Sequence, residues 1–152
     1  MEEHQLKNGF IEEEWIRMLF VLADTQEWME EMSKRLFHFM PVASQRKYQR
    51  QTYYLTVSAL AHILEGHYYK INRHPAKGKF HVSLPRLLEL LRDASAVEAR
   101  LMDGSIQFCR ELDAGEVIGF DRNGRAVQCL TVITDAGGRV VTAFPGKISF
   151  KF

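Results

Sequence analysis

The chain has 152 residues, 46% hydrophobic and 26% charged, with ten Gly, four Pro and two Cys. This composition suits one globular domain and excludes collagenous, disordered and disulfide-scaffold chains. The formal net charge of +1 hides a segregation: residues 1–40 sum to −5, residues 41–92 to +7 and residues 93–152 to −1. In residues 10–40, Ile11, Trp15, Met18, Leu19 and Leu22 follow the spacing of one helix face. Asp24, with Glu27 three residues on, has the form of a capping box, so a break is predicted at Ala23–Thr25. A second helix carries Trp28, Met32, Leu36, Phe39 and Met40 on one side and stops at Pro41. Residues 1–40 thus read as a helical hairpin with a solvated acidic face.

Residues 41–51 are polar and basic and read as a linker. Tyr53 to Val57 favours β structure. Ser58 is placed to cap a helix running to Tyr69, with Leu60, Ile63 and Leu64 turned inward. Residues 72–79 (NRHPAKGK) form a basic loop, and Ser83 with Pro85 opens a helix whose stripe is Leu84, Leu87, Leu88 and Leu91. Beyond Ala94 the period becomes two. Val97–Met102 and Ser105–Leu112 flank Asp103-Gly104, while Glu116–Phe120 and Ala126–Thr134 flank Asn123-Gly124, both type I′ signals. Arg139–Phe144 follows, then the alternation of Ile148, Phe150 and Phe152. The expected fold class is α+β, with N-terminal helices followed by an antiparallel β-sheet meander. One domain spans 1–152, divided into the hairpin (1–40) and an α+β core (52–152).

The basic block holds four of the six histidines, at 62, 67, 74 and 81, among Lys70, Arg73, Lys77 and Lys79. His62 and His67 are five apart, about 140° around a helix, which does not suit a shared ion. Cys109 and Cys129 lie outside metal-binding spacings and read as free buried thiols. Neither a metal nor a cofactor is therefore expected. Two histidines can act as base and acid on a phosphodiester, and Lys or Arg can stabilise the phosphoryl oxygens. An RNA partner fits this set. The longest apolar run, Met18–Ala23, is far short of the roughly 20 residues of a membrane helix. The opening MEEHQLKNGF is unlike a signal peptide. A cytoplasmic location without a membrane partner is expected.

The phrase His62-Ile-Leu-Glu-Gly66, followed by Gly78-Lys-Phe-His81, resembles the opening of bacterial EndoU-type nuclease domains. The phrase Arg139-Val-Val-Thr-Ala-Phe-Pro145 resembles their last core strand, in which Thr or Ser stands two before an aromatic. Residues 55–146 carry the likeness, within the wider set of barnase–EndoU–colicin–RelE-like ribonucleases. The resemblance implies N-terminal helices on a four-stranded antiparallel sheet. Its implied activity is a metal-independent endoribonuclease, often a toxin module in bacterial or phage-associated systems, with an immunity or antitoxin protein as a further partner. Carried over by position, His62 or His67 is the first catalytic histidine and His81 the second, with His74 as substitute. Thr142 holds the phosphate or base, Phe144 stacks where the family often has Tyr, and Arg73, Lys77 and Lys79 bind substrate. The family's lysine has no counterpart from 82 to 146, leaving Lys77, Lys79, Arg100 or Arg110 as replacements. Its loss also admits a non-catalytic nuclease-like module that binds RNA or a protein. A third reading is a partner-binding protein using the acidic hairpin.

Overall fold

The computed structural model describes residues 11–38 and 53–148. Helix α1 (Glu12–His38) is followed by α2 (Val57–His67), β1 (Lys79–Phe80) and α3 (Leu84–Asp93). Six strands then follow: β2 (Arg100–Leu101), β3 (Phe108–Asp113), β4 (Gly119–Phe120), β5 (Ala126–Val127), β6 (Cys129–Thr134) and β7 (Val140–Pro145). The fold is α+β, with the described helices mostly on the N-terminal side of two antiparallel sheets, ordered β2-β3-β6-β7 and β1-β4-β5.

The expected hairpin in residues 1–40 is corrected: α1 runs unbroken through Asp24. Neither Gly nor Pro occurs in residues 12–38, and Asp or Thr inside a helix costs only tenths of a kcal/mol, about 0.7 at most. The Thr25 hydroxyl donates back to the Val21 carbonyl at 3.1 Å, a bond the helix interior accommodates. Ala23 is buried against the body, so interrupting the helix there would remove packing. The predicted stop at Pro41, the linker 41–51 and the alternation at Phe150 and Phe152 lie outside the described residues.

Thr56, rather than Ser58, caps α2, accepting from Ala59 N at 3.1 Å. Ser58 instead joins two helices: its hydroxyl donates to Ala23 O at 3.1 Å and its amide to Gln26 Oε1 at 3.0 Å. The β-favouring run 53–57 yields only an isolated parallel bridge from Tyr54 to Arg139 before the cap. Ser83 caps α3 as expected, but Leu90 takes the buried place assigned to Leu88. Leu60, Ile63 and Leu64 of α2 meet Leu87, Leu90 and Leu91 of α3 and Leu130, Val132, Val140 and Ala143 of the sheet in one core. Ile16 and Leu19 bring α1 onto it.

Both Gly-containing turns form hairpins, but neither is type I′. That turn requires positive φ at both central residues, and among the described residues only glycines have it, including Gly104 (φ 70°) and Gly124 (φ 76°). Asp121 shapes the second turn, its Oδ1 accepting from Asn123 N at 2.9 Å and Arg125 N at 3.0 Å. The run 126–134 divides at Gln128 between two sheets, because β3 pairs directly with β6, with Asp113 opposite Cys129. The β4–β5 hairpin is thus an excursion from the four-stranded sheet, and it pairs with β1.

Candidate functional site

The last turn of α2 delivers His67 to a cavity of about 660 Å³ whose lining includes Lys77, Arg122, Asn123, Phe144 and Lys147. His67 Nδ1 lies 2.9 Å from the Gly78 carbonyl. A carbonyl only accepts, so Nδ1 carries the proton and the neutral ring keeps a free lone pair on Nε2. Burial holds the His67 pKa below the usual histidine range, and the charges of Lys77, Lys79 and His62 act the same way, outweighing the Gly78 hydrogen bond. The ring centroid stands 6.0 Å from that of Phe144 on edge strand β7.

Gly78 permits this approach. A Cβ there would lie 2.9 Å from the Phe120 carbonyl oxygen, so the basic loop packs backbone to backbone against the β4–β5 hairpin. Lys79 donates to the Gly66 carbonyl at 2.7 Å, closing the loop onto the end of α2. Burial lowers the Lys79 pKa, and the neighbouring Lys77 charge lowers it further. Asp121 borders both cavities of this region, but one of its carboxylate oxygens already serves the hairpin turn.

A second cavity of about 400 Å³ adjoins the first and shares Lys77, Asp121 and Arg122 with it. His81 and Lys79 line it. The His81 ring stacks on Tyr69 at 4.1 Å and meets Phe120 edge-on at 6.0 Å, while its amide donates to the Ile118 carbonyl at 2.8 Å.

The structure separates the other candidates from this pair. His62 is exposed on α2 and lines neither cavity. Arg73 pairs with Glu65 at 3.3 Å, and His74 stands 4.0 Å from the same carboxylate; neither lines the two cavities. Thr142 of β7 pairs with Ile133 of β6, about 7 Å along its strand from Phe144, and lines neither cavity. Arg100 binds Glu111 at 2.6 Å. Arg110 spans Val97 O, Thr134 and the Tyr53 ring. Both arginines are held elsewhere in the sheet. Tyr68 is buried with its hydroxyl on Glu12, so of the two adjacent tyrosines only Tyr69 reaches a cavity.

Sequence reasoning missed Arg122, Asn123 and Lys147. The first two sit in a turn read only as a hairpin signal, although a cation beside Asn-Gly was visible. Lys147 lies one residue beyond the interval searched for the family's lysine. Among the described residues, no three His, Cys, Asp or Glu side chains gather as metal ligands, and no helix is long and apolar enough to cross a membrane. Compared with protein-family models, curated proteins and solved structures, the chain matches none.

Proposed function

We propose that the joined cavities bind single-stranded RNA and that the protein is a metal-independent endoribonuclease of EndoU-like type. The observation that carries the reading is the pair of histidines opening into adjoining cavities that share Lys77 and Arg122. His67 Nε2 takes the proton of the 2′-hydroxyl; its lowered pKa keeps the ring in the basic form near neutral pH. The 2′-oxygen bonds to phosphorus as the bond to the 5′-oxygen breaks, and His81 gives that oxygen a proton. The products are a 2′,3′-cyclic phosphate and a 5′-hydroxyl. Lys77, Lys79, Arg122 and Lys147 supply positive charge for the phosphoryl oxygens. Burial, and after it the charge of Lys77, lowers the Lys79 pKa, and an anion entering beside the two lysines offsets that charge. Phe144 offers a face for a base.

The position of Thr142 outside both cavities favours a second reading, a nuclease-like module that binds RNA without cutting it. One experiment separates the two. Mixed RNA is incubated with the protein in EDTA, and the ends of the products are identified. Cleavage to cyclic phosphates is expected, with His67→Ala lowering the rate about 10²–10⁴-fold and a 2′-deoxy substrate resisting. RNA that is bound but uncut establishes the binding module. RNA neither bound nor cut rejects both readings.

A further inference from the structure

The cavity that holds His81 has more aromatic surface than the orientation of one histidine requires. The pairing of β1 with β4 sets Phe80 opposite Gly119 and Lys79 opposite Phe120. Directly opposed residues of an antiparallel pair project to the same side. The first pair is buried, whereas Phe120 is 41% exposed beside Lys79 and lines the second cavity with it. Tyr69 lines the same cavity, its amide donating to the Phe80 carbonyl at 3.1 Å. Tyr69 already stacks on His81 at 4.1 Å. Phe120 stands at 86° to the His81 ring, so it is not stacked on it. An exposed phenyl ring next to Lys77, Lys79 and Arg122 offers what a nucleotide recognises, a face for a base and cations for its phosphate.

We infer that the second cavity is the subsite for the leaving nucleoside, the one 3′ of the cleaved phosphate, and that its base stacks on Phe120. The inference rests on the ribonuclease reading above, which gives the two cavities a direction. The 2′-hydroxyl that His67 deprotonates belongs to the nucleoside 5′ of the phosphate, and His67 lines the first cavity. The 5′-oxygen that His81 protonates belongs to the nucleoside 3′ of it, and His81 lines the second. Lys77 and Arg122 are common to both cavities, which is where a phosphate joining two nucleosides has to lie. Asp121 shares that wall, but Lys77, Lys79, Arg122 and Lys147 outnumber its one charge. RNA thus enters with its 5′ side at Phe144 and leaves over Phe120. The volume of about 400 Å³ is of the size that small-ligand sites have.

Cleavage of a dinucleoside monophosphate of two adenosines, in which only one bond can break, tests the assignment. It is compared in EDTA with two analogues, one lacking the 3′ base and one lacking the 5′ base. The proteins are the wild type and Phe120→Leu, which keeps apolar bulk but has no ring. In the wild type, loss of the 3′ base is expected to lower kcat/KM about tenfold. Phe120→Leu should cut the complete substrate about tenfold more slowly and lose nothing further with the 3′ base, since both changes remove one interaction. Loss of the 5′ base should cost the same in both proteins. A 3′ base whose removal costs as much in the variant as in the wild type overturns the inference, because Phe120 then only positions His81. So does coupling of Phe120 to the 5′ base, or a wild type that cuts long RNA but not the dinucleotide. Should Phe120→Leu fail to fold, the wild type decides alone: a 3′ base removed without loss overturns the subsite. Long RNA left intact by the wild type rejects the ribonuclease reading itself, and the subsite with it.

Discussion

Glu12 shows how much one side chain can organise. It is 3% exposed, and its carboxylate accepts from the Tyr68 hydroxyl at 2.6 Å, from Leu84 N at 3.0 Å and from Lys70. One residue of α1 thereby ties the end of α2 to the start of α3. Burial pushes its pKa up, but the three hydrogen bonds together hold it below the usual carboxylate range. Glu12→Gln should destabilise the protein by about 2–4 kcal/mol in urea near pH 7, since Lys70 and two buried donors lose their shared anion. A depressed carboxyl stabilises the fold above its unfolded-state pKa, and that contribution fades as pH falls through the folded value. The gap between wild type and variant must therefore narrow in acid; a gap constant down to about pH 3 refutes the clamp. His67, Lys77, Lys79 and Phe144 were legible because their residue types carry chemistry wherever they stand. Glu12 was not, because its partners Tyr68 and Leu84 lie 56 and 72 residues away and the run Glu12-Glu13-Glu14 looks like any solvated acidic turn.

Among the elements, the loop that follows α2 shows how much one backbone position can matter. Two glycines near His67 look alike in sequence and differ in space. A Cβ on Gly66 would meet only Lys77 atoms at 3.7 and 3.8 Å, an ordinary contact. A Cβ on Gly78 would strike the Phe120 carbonyl. Gly66→Ala should therefore raise stability by up to about 1 kcal/mol, the usual gain inside a helix. Gly78→Ala should cost about 1–3 kcal/mol and, on the proposed function, slow RNA cleavage, because the carbonyl that fixes the His67 tautomer must move with its loop. Melting curves of the two variants check the contrast, and equal effects would discount the close approach. Helix existence and turn positions were readable from periodicity and from Gly and Pro. The unbroken α1 was not, since Asp24 and Glu27 spell a capping box that tertiary packing of Ala23 overrides. The division at Gln128 escaped notice for a similar reason: period-two alternation does not say which sheet a strand joins.

At the scale of the whole molecule, the described bases of the +7 block do not act as a uniform surface. Arg73 is paired with Glu65, Lys70 with Glu12 and Glu13, and Arg86 with Glu89 and Glu116. Lys77 and Lys79 border the cavities, joined there by Arg122 and Lys147 from the C-terminal third. Among the described residues, the positive charge left for a ligand is therefore local. Each cation that touches a phosphate of single-stranded RNA contributes about 0.7 to the slope of log K against log salt. Replacing Lys77 and Lys79 by Ala should lower that slope by about 1.4, whereas Arg73→Ala should leave it nearly unchanged. Binding titrations over a range of salt measure both. If Arg73→Ala lowers the slope as much, the whole block binds RNA and the cavities are not special. The α+β order was legible from the change of hydrophobic period near residue 94. The basic block was visible too, but part of its neutralisation comes from acids distant in the sequence, Glu12, Glu13 and Glu116.

The β4–β5 excursion also bears on how such a molecule can diverge. Its root is fixed: Ile118 is fully buried, and a side chain on Gly119 would meet the Lys79 carbonyl at 2.2 Å. Its far end is less confined: Asn123, Gly124 and Arg125 are exposed and nothing lies within 4 Å of a Cβ built on Gly124, although Gly124 keeps its positive φ and the Arg122 amide borders Gly78. Yet Arg122 walls both cavities. Insertions, deletions and recoloured charges at this tip can accumulate without disturbing the core and can reshape the entrance to both histidines. Variation in ligand preference should therefore concentrate in these few turn residues while the four-stranded sheet behind them stays fixed.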